Sequence, residues 1–203
     1  NIYGWDIDTG SQLFNVSRHA DVITDFLALD DKEMFVTCSL DKRIVLWSMT
    51  SRRVKGILLG HKRGIRILSV ANNTLLSAGF EAEAKTWDLG LKEVAMTLKG
   101  HRFPITAARI MCIAKGTDED LRAITADDSG ELRLWNVCCK EKSSEAALAP
   151  VLQVFQMMDN QPPSNRFQAV VFPFAPSHTK GCYSNVLAFS SKIVHFTPEK
   201  NAR

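Results

Sequence analysis

Histidine, hydroxyl and acidic residues recur along this chain in the combination that a hydrolytic triad uses. In such a triad a carboxylate orients an imidazole, which takes a proton from a hydroxyl nucleophile. Three histidines are each followed by a hydroxyl residue and a polar turn: His19 with Thr37, His61 with Ser77, and His101 with Thr125. Because the combination recurs, and because no Gly-x-Ser-x-Gly motif accompanies it, we interpret it as structural. The prediction is that the protein is not an enzyme.

Tryptophans set the spacing of this pattern. The steps between Trp5, Trp47, Trp87 and Trp135 are 42, 40 and 48 residues. A histidine follows each of the first three tryptophans after 14 residues, and a hydroxyl residue precedes each of the last three by ten. A repeat of about 40–45 residues is typical of a four-stranded propeller blade.

Short β-branched and apolar runs separated by turn residues fill each repeat. The run Ile44–Trp47 is one example, and Asp127–Gly130 is one of the polar turns. Such runs predict strands joined by tight hairpins, and no segment has a convincing helical period.

These motifs carry a family resemblance. Gly60-His61 and Trp87-Asp88 match the two ends of a WD repeat, Trp5-Asp6 is a second Trp-Asp pair, and Arg18-His19 is a variant of the first motif. The chain therefore resembles the WD-repeat (WD40) β-propeller family over residues 1–137, and more weakly over 150–197. The resemblance implies an all-β propeller of about four and a half blades.

The resemblance also implies a hydrogen-bonded set of side chains in each blade. Glu81 stands where the second set should have an aspartate, and in the third set Ser129 takes that position with Asp128 one residue earlier. The implied sets are His19, Thr37, Asp41 and Trp47; His61, Ser77 and Trp87; and His101, Thr125 and Trp135.

We expect the repeats to divide the chain into five parts. Residues 1–16 end one blade, 17–59, 60–99 and 100–157 are fuller repeats, and 158–203 form a degenerate repeat with Phe196 in place of the tryptophan. An open arc would expose two sheet edges. We therefore expect the chain to be part of a seven-bladed or double propeller, with four-bladed closure as the minor alternative. Two insertions, 115–120 and 140–150, predict surface loops.

Neither a metal nor a cofactor is expected. The histidines belong to different blades, and Cys138-Cys139 lack the spacing of a zinc pair. The five cysteines are interpreted as free thiols in a reducing compartment. The sequence has no apolar run of about 18 residues, so no membrane partner is expected.

The predicted function is a non-catalytic scaffold that binds other proteins through loop tips. The candidate partner-binding residues are Lys62, Arg63, Arg102 and Phe103, in loops expected to share one face with the tight turns. The net charge of +3 is too small to demand a nucleic-acid partner. The basic residues between 52 and 66 are the one basic cluster in the sequence. Arg52 and Arg53 are expected on the opposite face from Lys62 and Arg63, so this cluster is divided in space.

The runs 60–65, 75–81 and 125–130 are similar to the large WD-repeat proteins of cilia and flagella. That similarity implies a cytoplasmic or axonemal location, and tubulin or axonemal proteins as partners in a multi-subunit assembly. The alternative is a WD-repeat subunit of an RNA-processing or other nucleic-acid-associated complex, whose binding would weaken steeply with salt.

Overall fold

Short antiparallel strands make up almost the whole computed structural model of this chain. The structure describes residues 1–112, 121–137, 147–148, 151–156, 169–171, 187–189 and 193–195. Within these ranges the helical structure is one 3-10 turn, Asp30–Lys32. The strands coincide with the β-branched and apolar runs, and polar turns end them.

The first two sheets contain the first half of the tryptophan repeat. One sheet pairs two strands, β1 (Ile2–Trp5) and β2 (Gln12–Val16). The next is a meander of four, β3 (Ile23–Leu29), β4 (Met34–Ser39), β5 (Ile44–Ser48) and β6 (Val54–Leu58).

The third and fourth sheets repeat this meander. The third contains β7 (Ile65–Ala71), β8 (Thr74–Gly79), β9 (Glu83–Asp88) and β10 (Glu93–Lys99). The fourth contains β11 (Ile105–Cys112), β12 (Leu121–Asp127), β13 (Glu131–Asn136) and β15 (Val151–Gln156). A two-residue strand, β14 (Ala147–Leu148), pairs in parallel with β10.

The last sheet lies in the segment expected to be degenerate. Its antiparallel strands are β16 (Ala169–Val171), β17 (Leu187–Phe189) and β18 (Ile193–His195). They fall within the runs 166–172, 186–189 and 193–196, which the sequence predicts as the strands of this repeat. Phe196 and the insertion at 115–120 lie outside the described residues, as do Cys138, Cys139 and Cys182. The other insertion, predicted as a loop, contributes β14.

Strand register explains the ten residues between hydroxyl and tryptophan. Thr37 pairs with Val45 across the β4–β5 hairpin, two residues before Trp47. Alternate residues of a strand point to the same face, so the hydroxyl and the indole are diagonal neighbours. The same register recurs where Ser77 pairs with Lys85 and Thr125 with Arg133.

The last three tryptophans each pack against the sheet before their own. Trp47 lies with Ile2 and Val16 of the first sheet. Trp87 joins a cluster that contains Leu46 and Leu58 of the second sheet. Trp135 joins one that contains Leu76 and Leu98 of the third. The cores are therefore layers between successive sheets.

Hydrogen bonds join the first strands of neighbouring sheets. The Thr24 hydroxyl of β3 donates to the Ile65 carbonyl of β7 (2.6 Å), and the Leu68 amide of β7 donates to Asp25 Oδ2 of β3 (2.7 Å). Farther along, the Ile110 amide of β11 donates to Ser69 Oγ of β7 (3.0 Å). With β11 also touching β16, these strands follow one another around a common axis, as the inner strands of propeller blades do.

The residue after the tryptophan closes the next turn. Asp88 Oδ1 accepts from the amides of Gly90 (2.7 Å) and Leu91 (3.1 Å). Lys92 then takes a left-handed conformation, with φ at 61°, and its amide donates to the Asp88 carbonyl (2.7 Å). The turn after Asp6 is built in the same way. The second member of the Trp-Asp pair therefore stabilises the turn to the outer strand.

Candidate functional site

The His61 set is a continuous chain of buried hydrogen bonds. His61 Nδ1 lies 2.8 Å from Glu81 Oε1, and His61 Nε2 lies 2.7 Å from Ser77 Oγ. The Trp87 indole N–H donates to the same Ser77 oxygen (2.7 Å). The loop before β7, the strand β8, the turn after it and the strand β9 therefore meet through four side chains.

The direction of these bonds follows from what each group can donate. The Glu81 carboxylate only accepts, so His61 Nδ1 carries the proton. In the neutral imidazole Nε2 then accepts, and the Ser77 hydroxyl donates to it while accepting from Trp87. Every donor among these four side chains has an acceptor, which removes the cost of burying polar groups unpaired.

The His19 set repeats this chain with an aspartate. His19 lies 2.9 Å from Asp41 Oδ2 through Nδ1 and 2.9 Å from Thr37 Oγ1 through Nε2. The Trp47 indole donates to Thr37 Oγ1 at 2.9 Å. In the first sheet, by contrast, Trp5 is 58% exposed.

The His101 set obtains its carboxylate from a different place. His101 Nε2 lies 2.6 Å from Thr125 Oγ1, which accepts from the Trp135 indole at 2.8 Å. His101 Nδ1 lies 3.0 Å from Asp127 Oδ2. Asp127 is the last residue of β12. Ser129 occupies the turn position that matches Asp41, and its hydroxyl donates to Asp127 (2.6 Å).

Sequence reasoning did not include Glu81 or Asp127 in the sets. The signal for Glu81 was its separation of four residues from the hydroxyl, which equals the Thr37-to-Asp41 separation. Asp127 follows its hydroxyl by two residues and sits where Ser39 and Gly79 stand in the other sheets, opposite the first residue of the inner strand. An acidic residue at that strand end was the available signal.

This geometry prevents the hydroxyls from acting as nucleophiles. Thr37, Ser77 and Thr125 are all 0% exposed, so a substrate cannot reach them. In addition, each oxygen already accepts an indole N–H. A hydrolase nucleophile must be open to the substrate and free to attack it, so the three sets hold strands together instead.

The carboxylates of the sets have lowered pKa values despite their burial. Burial alone would raise the pKa of Asp41, Glu81 and Asp127. Hydrogen bonds from the histidines and nearby amides outweigh it, so each pKa lies below its usual value. Burial also raises the pKa of the Cys38 thiol to about 12, so this thiol stays protonated and unreactive at neutral pH.

A second carboxylate lies next to His101. Glu131 Oε1 is 3.7 Å from His101 Nδ1, and three possible ligand atoms of His101, Asp127 and Glu131 lie within 4.8 Å of one another. Arg133 Nε donates to Glu131 Oε1, and His101 donates to Asp127. Because cations or N–H groups already occupy these oxygens, the cluster is satisfied without a metal ion.

The histidine loops and the tight turns meet on one face, which we call the histidine-loop face. The Phe80 amide donates to the Gly64 carbonyl (3.0 Å), and the Ile105 amide donates to the Glu81 carbonyl (3.1 Å). The Asp128 amide donates to the Pro104 carbonyl (3.1 Å). Arg52 and Arg53 precede β6 and Lys62 and Arg63 follow it, so the two pairs lie at opposite ends of that strand.

The candidate partner-binding residues are exposed on the histidine-loop face. Lys62, Arg63 and Arg102 are solvent-exposed, and none forms an ion pair with any residue that the structure describes. Phe103 is 49% exposed. Whether a partner contacts them stays a prediction.

Comparisons with known proteins support the propeller interpretation. A family model described as "WD domain, G-beta repeat" matches residues 10–48. The matched segment contains β2 to β5 and the His19 set, and the His61 and His101 sets repeat its pattern. The chain is therefore similar to the WD40-repeat family.

Relatives and solved structures agree with this assignment. The C-terminal WD40 domain of Sif2 superimposes with a TM-score of 0.72 at 14% identity, covering 97% of this chain and 52% of that one. This confirms the predicted WD40 propeller fold. WD40 domains generally act as non-catalytic modules that mediate protein–protein interactions.

Two curated relatives cover about two thirds of this chain. Cilia- and flagella-associated protein 337 B of Tetrahymena thermophila is 26% identical over 138 residues, which are 67% of this chain and 10% of that protein. Apoptotic protease-activating factor 1 of Rattus norvegicus is 29% identical over 135 residues, which are 66% of this chain and 10% of that protein. The chain thus spans about a tenth of either relative. Across the described residues, no helix combines the length and apolarity needed to span a membrane.

Proposed function

We infer that this chain is a non-catalytic scaffold that binds other proteins through its histidine-loop face. One observation carries the proposal: the histidines, hydroxyls and carboxylates of the three sets are hydrogen-bonded to one another inside the blades, while the adjacent loop tips carry exposed cations and a half-exposed phenylalanine. Exposed aromatic and arginine side chains are the residue types that dominate protein interfaces.

The assembly that we propose is a cilium, a flagellum or another microtubule-based structure. The support is the similarity to the Tetrahymena cilia- and flagella-associated protein. On this proposal the protein is cytoplasmic or axonemal, and its partners are tubulin or axonemal proteins. Fluorescent tagging of the full-length protein in a ciliated cell tests the location. Signal confined to the nucleus would contradict it.

A nucleic-acid-associated complex is the alternative, because Lys62, Arg63 and Arg102 are free to contact phosphates. Binding of that kind releases counterions and weakens steeply as salt rises. Purified protein that binds an RNA oligonucleotide with such a salt dependence, but captures no protein partner, would favour this alternative.

Quantitative capture of partners by the full-length protein tests the scaffold role. We expect Phe103→Ala to reduce recovery of at least one partner, because an aromatic anchor at an interface contributes about 2 kcal/mol or more. Leu91→Ala is the matched control, since Leu91 is also an exposed apolar residue (60%) but lies in the β9–β10 turn, at the other end of the strands. Equal recovery with both variants would remove Phe103 from the proposed site.

A further inference from the structure

An open groove of about 350 Å³ lies on the histidine-loop face between the third and fourth sheets. One wall is the Lys62–Arg63 loop, the floor is the 80–83 turn, and the other wall is the Arg102–Pro104 loop. Two neighbouring blades therefore contribute to it. A short extended segment of another chain fits a groove of this kind.

The free charge of this groove is positive. Its exposed cations, Lys62, Arg63 and Arg102, lack ion-pair partners among the residues described. Its carboxylates, in contrast, are already paired: Glu81 accepts from His61 and two amides, and Glu83 lies near Lys99 (3.6 Å) and Lys85 (3.9 Å). Charge complementarity therefore favours an anionic ligand.

Apolar surface accompanies these cations. Phe80 in the floor is 39% exposed, and the Arg66 guanidinium lies 5.0 Å from its ring centroid. Phe103 is exposed beside Arg102. An aromatic or aliphatic side chain of the ligand would gain contact area on these rings.

The Lys62–Arg63 wall is held in place before any ligand arrives. Glu81 Oε1 accepts from the backbone amides of Lys62 (2.6 Å) and Arg63 (3.2 Å). Two cations thus project from a backbone that is already ordered, which lowers the entropic cost of binding.

We propose that this groove binds an extended acidic segment of a partner protein, with carboxylates on the three cations and an apolar side chain on Phe80. The inference rests on the proposed scaffold role. A peptide is favoured over a nucleic acid because the net charge of +3 attracts a continuous phosphate backbone only weakly, whereas a short acidic segment needs only the three cations of the groove.

Fluorescence anisotropy with the full-length protein tests this proposal. The probe is a labelled glutamate-rich peptide with a central phenylalanine, and the comparison peptides replace glutamate by glutamine or phenylalanine by alanine. We expect the acidic phenylalanine peptide to bind at least about tenfold more tightly than the glutamine version. Equal binding of these two peptides would overturn the proposal.

Charge reversal locates the binding. Arg102→Glu and Lys62→Glu should each weaken the peptide about tenfold, whereas Arg53→Glu makes the same charge change at the far end of β6 and should have little effect. Equal losses for all three would mean non-specific attraction and overturn the site. An RNA oligonucleotide of equal charge that displaces the peptide more efficiently than unlabelled peptide would also overturn it.

The two proposals can fail separately. If Phe103→Ala abolishes capture of a partner but the acidic peptide does not bind, the scaffold role stands and the acidic ligand is wrong. If the peptide binds at the groove but no partner depends on this face, the scaffold role is wrong instead.

Discussion

The His61 and His101 sets share a histidine, a hydroxyl and a tryptophan but use their carboxylates differently. Glu81 reaches out of its turn and accepts from the amides of Lys62 and Arg63 in the facing loop. Asp127 instead accepts from Ser129 and Glu131 within its own turn. Both carboxylates bind their histidine, but the first also holds the backbone of the facing loop, while the second closes its own hairpin.

A blade requires the hydroxyl and the indole at fixed positions, but it tolerates a carboxylate from different positions. The hydroxyl and indole positions coincide in both sets, because one strand register places them. The carboxylate can come from the turn or from the strand end, since either position brings an oxygen to His Nδ1. The variable part of each set is therefore its carboxylate, which changes how firmly a loop is held.

The largest effect should come from removing the histidine. His101→Ala removes the imidazole that donates to the buried Asp127 carboxylate and leaves Glu131 close to that carboxylate, so we expect a loss of about 3–5 kcal/mol in unfolding free energy. His61→Ala removes the imidazole partner of a single carboxylate, Glu81, and should lower the unfolding free energy by about 2–3 kcal/mol. Urea unfolding measures both, with exposed Arg109→Ala as the control. Wild-type stability in either histidine variant would refute the structural role of that set.

Acid should weaken the fold through the same carboxylates. Their pKa values are lowered in the folded state, so the stabilisation is fully present above the usual values of 3.8 and 4.5 and is lost as pH falls below them. Asp127→Asn should cost about 1–3 kcal/mol at neutral pH and make stability less dependent on pH below about pH 5.

Unfolding curves measured at several pH values test this expectation, with exposed Asp30→Asn as the control. If Asp127→Asn and the wild type lost stability in parallel on acidification, the assignment of acid sensitivity to Asp127 would be wrong.

The smallest effect should follow Glu81→Asp, which gives the second full blade the residue type of the first. Asp41 bonds His19 and the amide of Ala20, and Ala20 corresponds to Lys62. We therefore expect the His61 and Lys62 bonds to persist and the Arg63 bond to be lost, at about 0.5–1 kcal/mol. Hydrogen exchange should accelerate at Arg63 and not at Lys62. Faster exchange at both amides would show that the two blades are not equivalent.

The tryptophan spacing was enough to predict the fold. The ten residues from Thr37 to Trp47 span one hairpin, so any sequence that repeats this separation repeats the register as well. Asp41 was implied by the resemblance to WD repeats, because the turn that contains it matches the pattern of that family. How the repeats divide the chain at residues 16, 59, 99 and 157 stays a prediction.

Features without a periodic signal could not be predicted. In the third set the carboxylate comes from Asp127 at the end of a strand, and sequence spacing alone does not show that its oxygen reaches His101. Strand β14 is two residues long and pairs with β10 in parallel across a long sequence separation, which leaves no alternation to detect. The groove depends on two loops from different blades, and sequence spacing alone does not give their distance.

The hydrogen bond from the Leu68 amide to Asp25 has a consequence for how the molecule comes apart. If the second sheet unfolded alone, the Leu68 amide in the third sheet would lose its acceptor, Asp25. If the third sheet unfolded, the Ile110 amide in the fourth would likewise lose Ser69. Neighbouring repeats are thus energetically coupled, as in other repeat arrays. Denaturation should spread from sheet to sheet in one cooperative transition, without stable partly melted species in which single blades have detached.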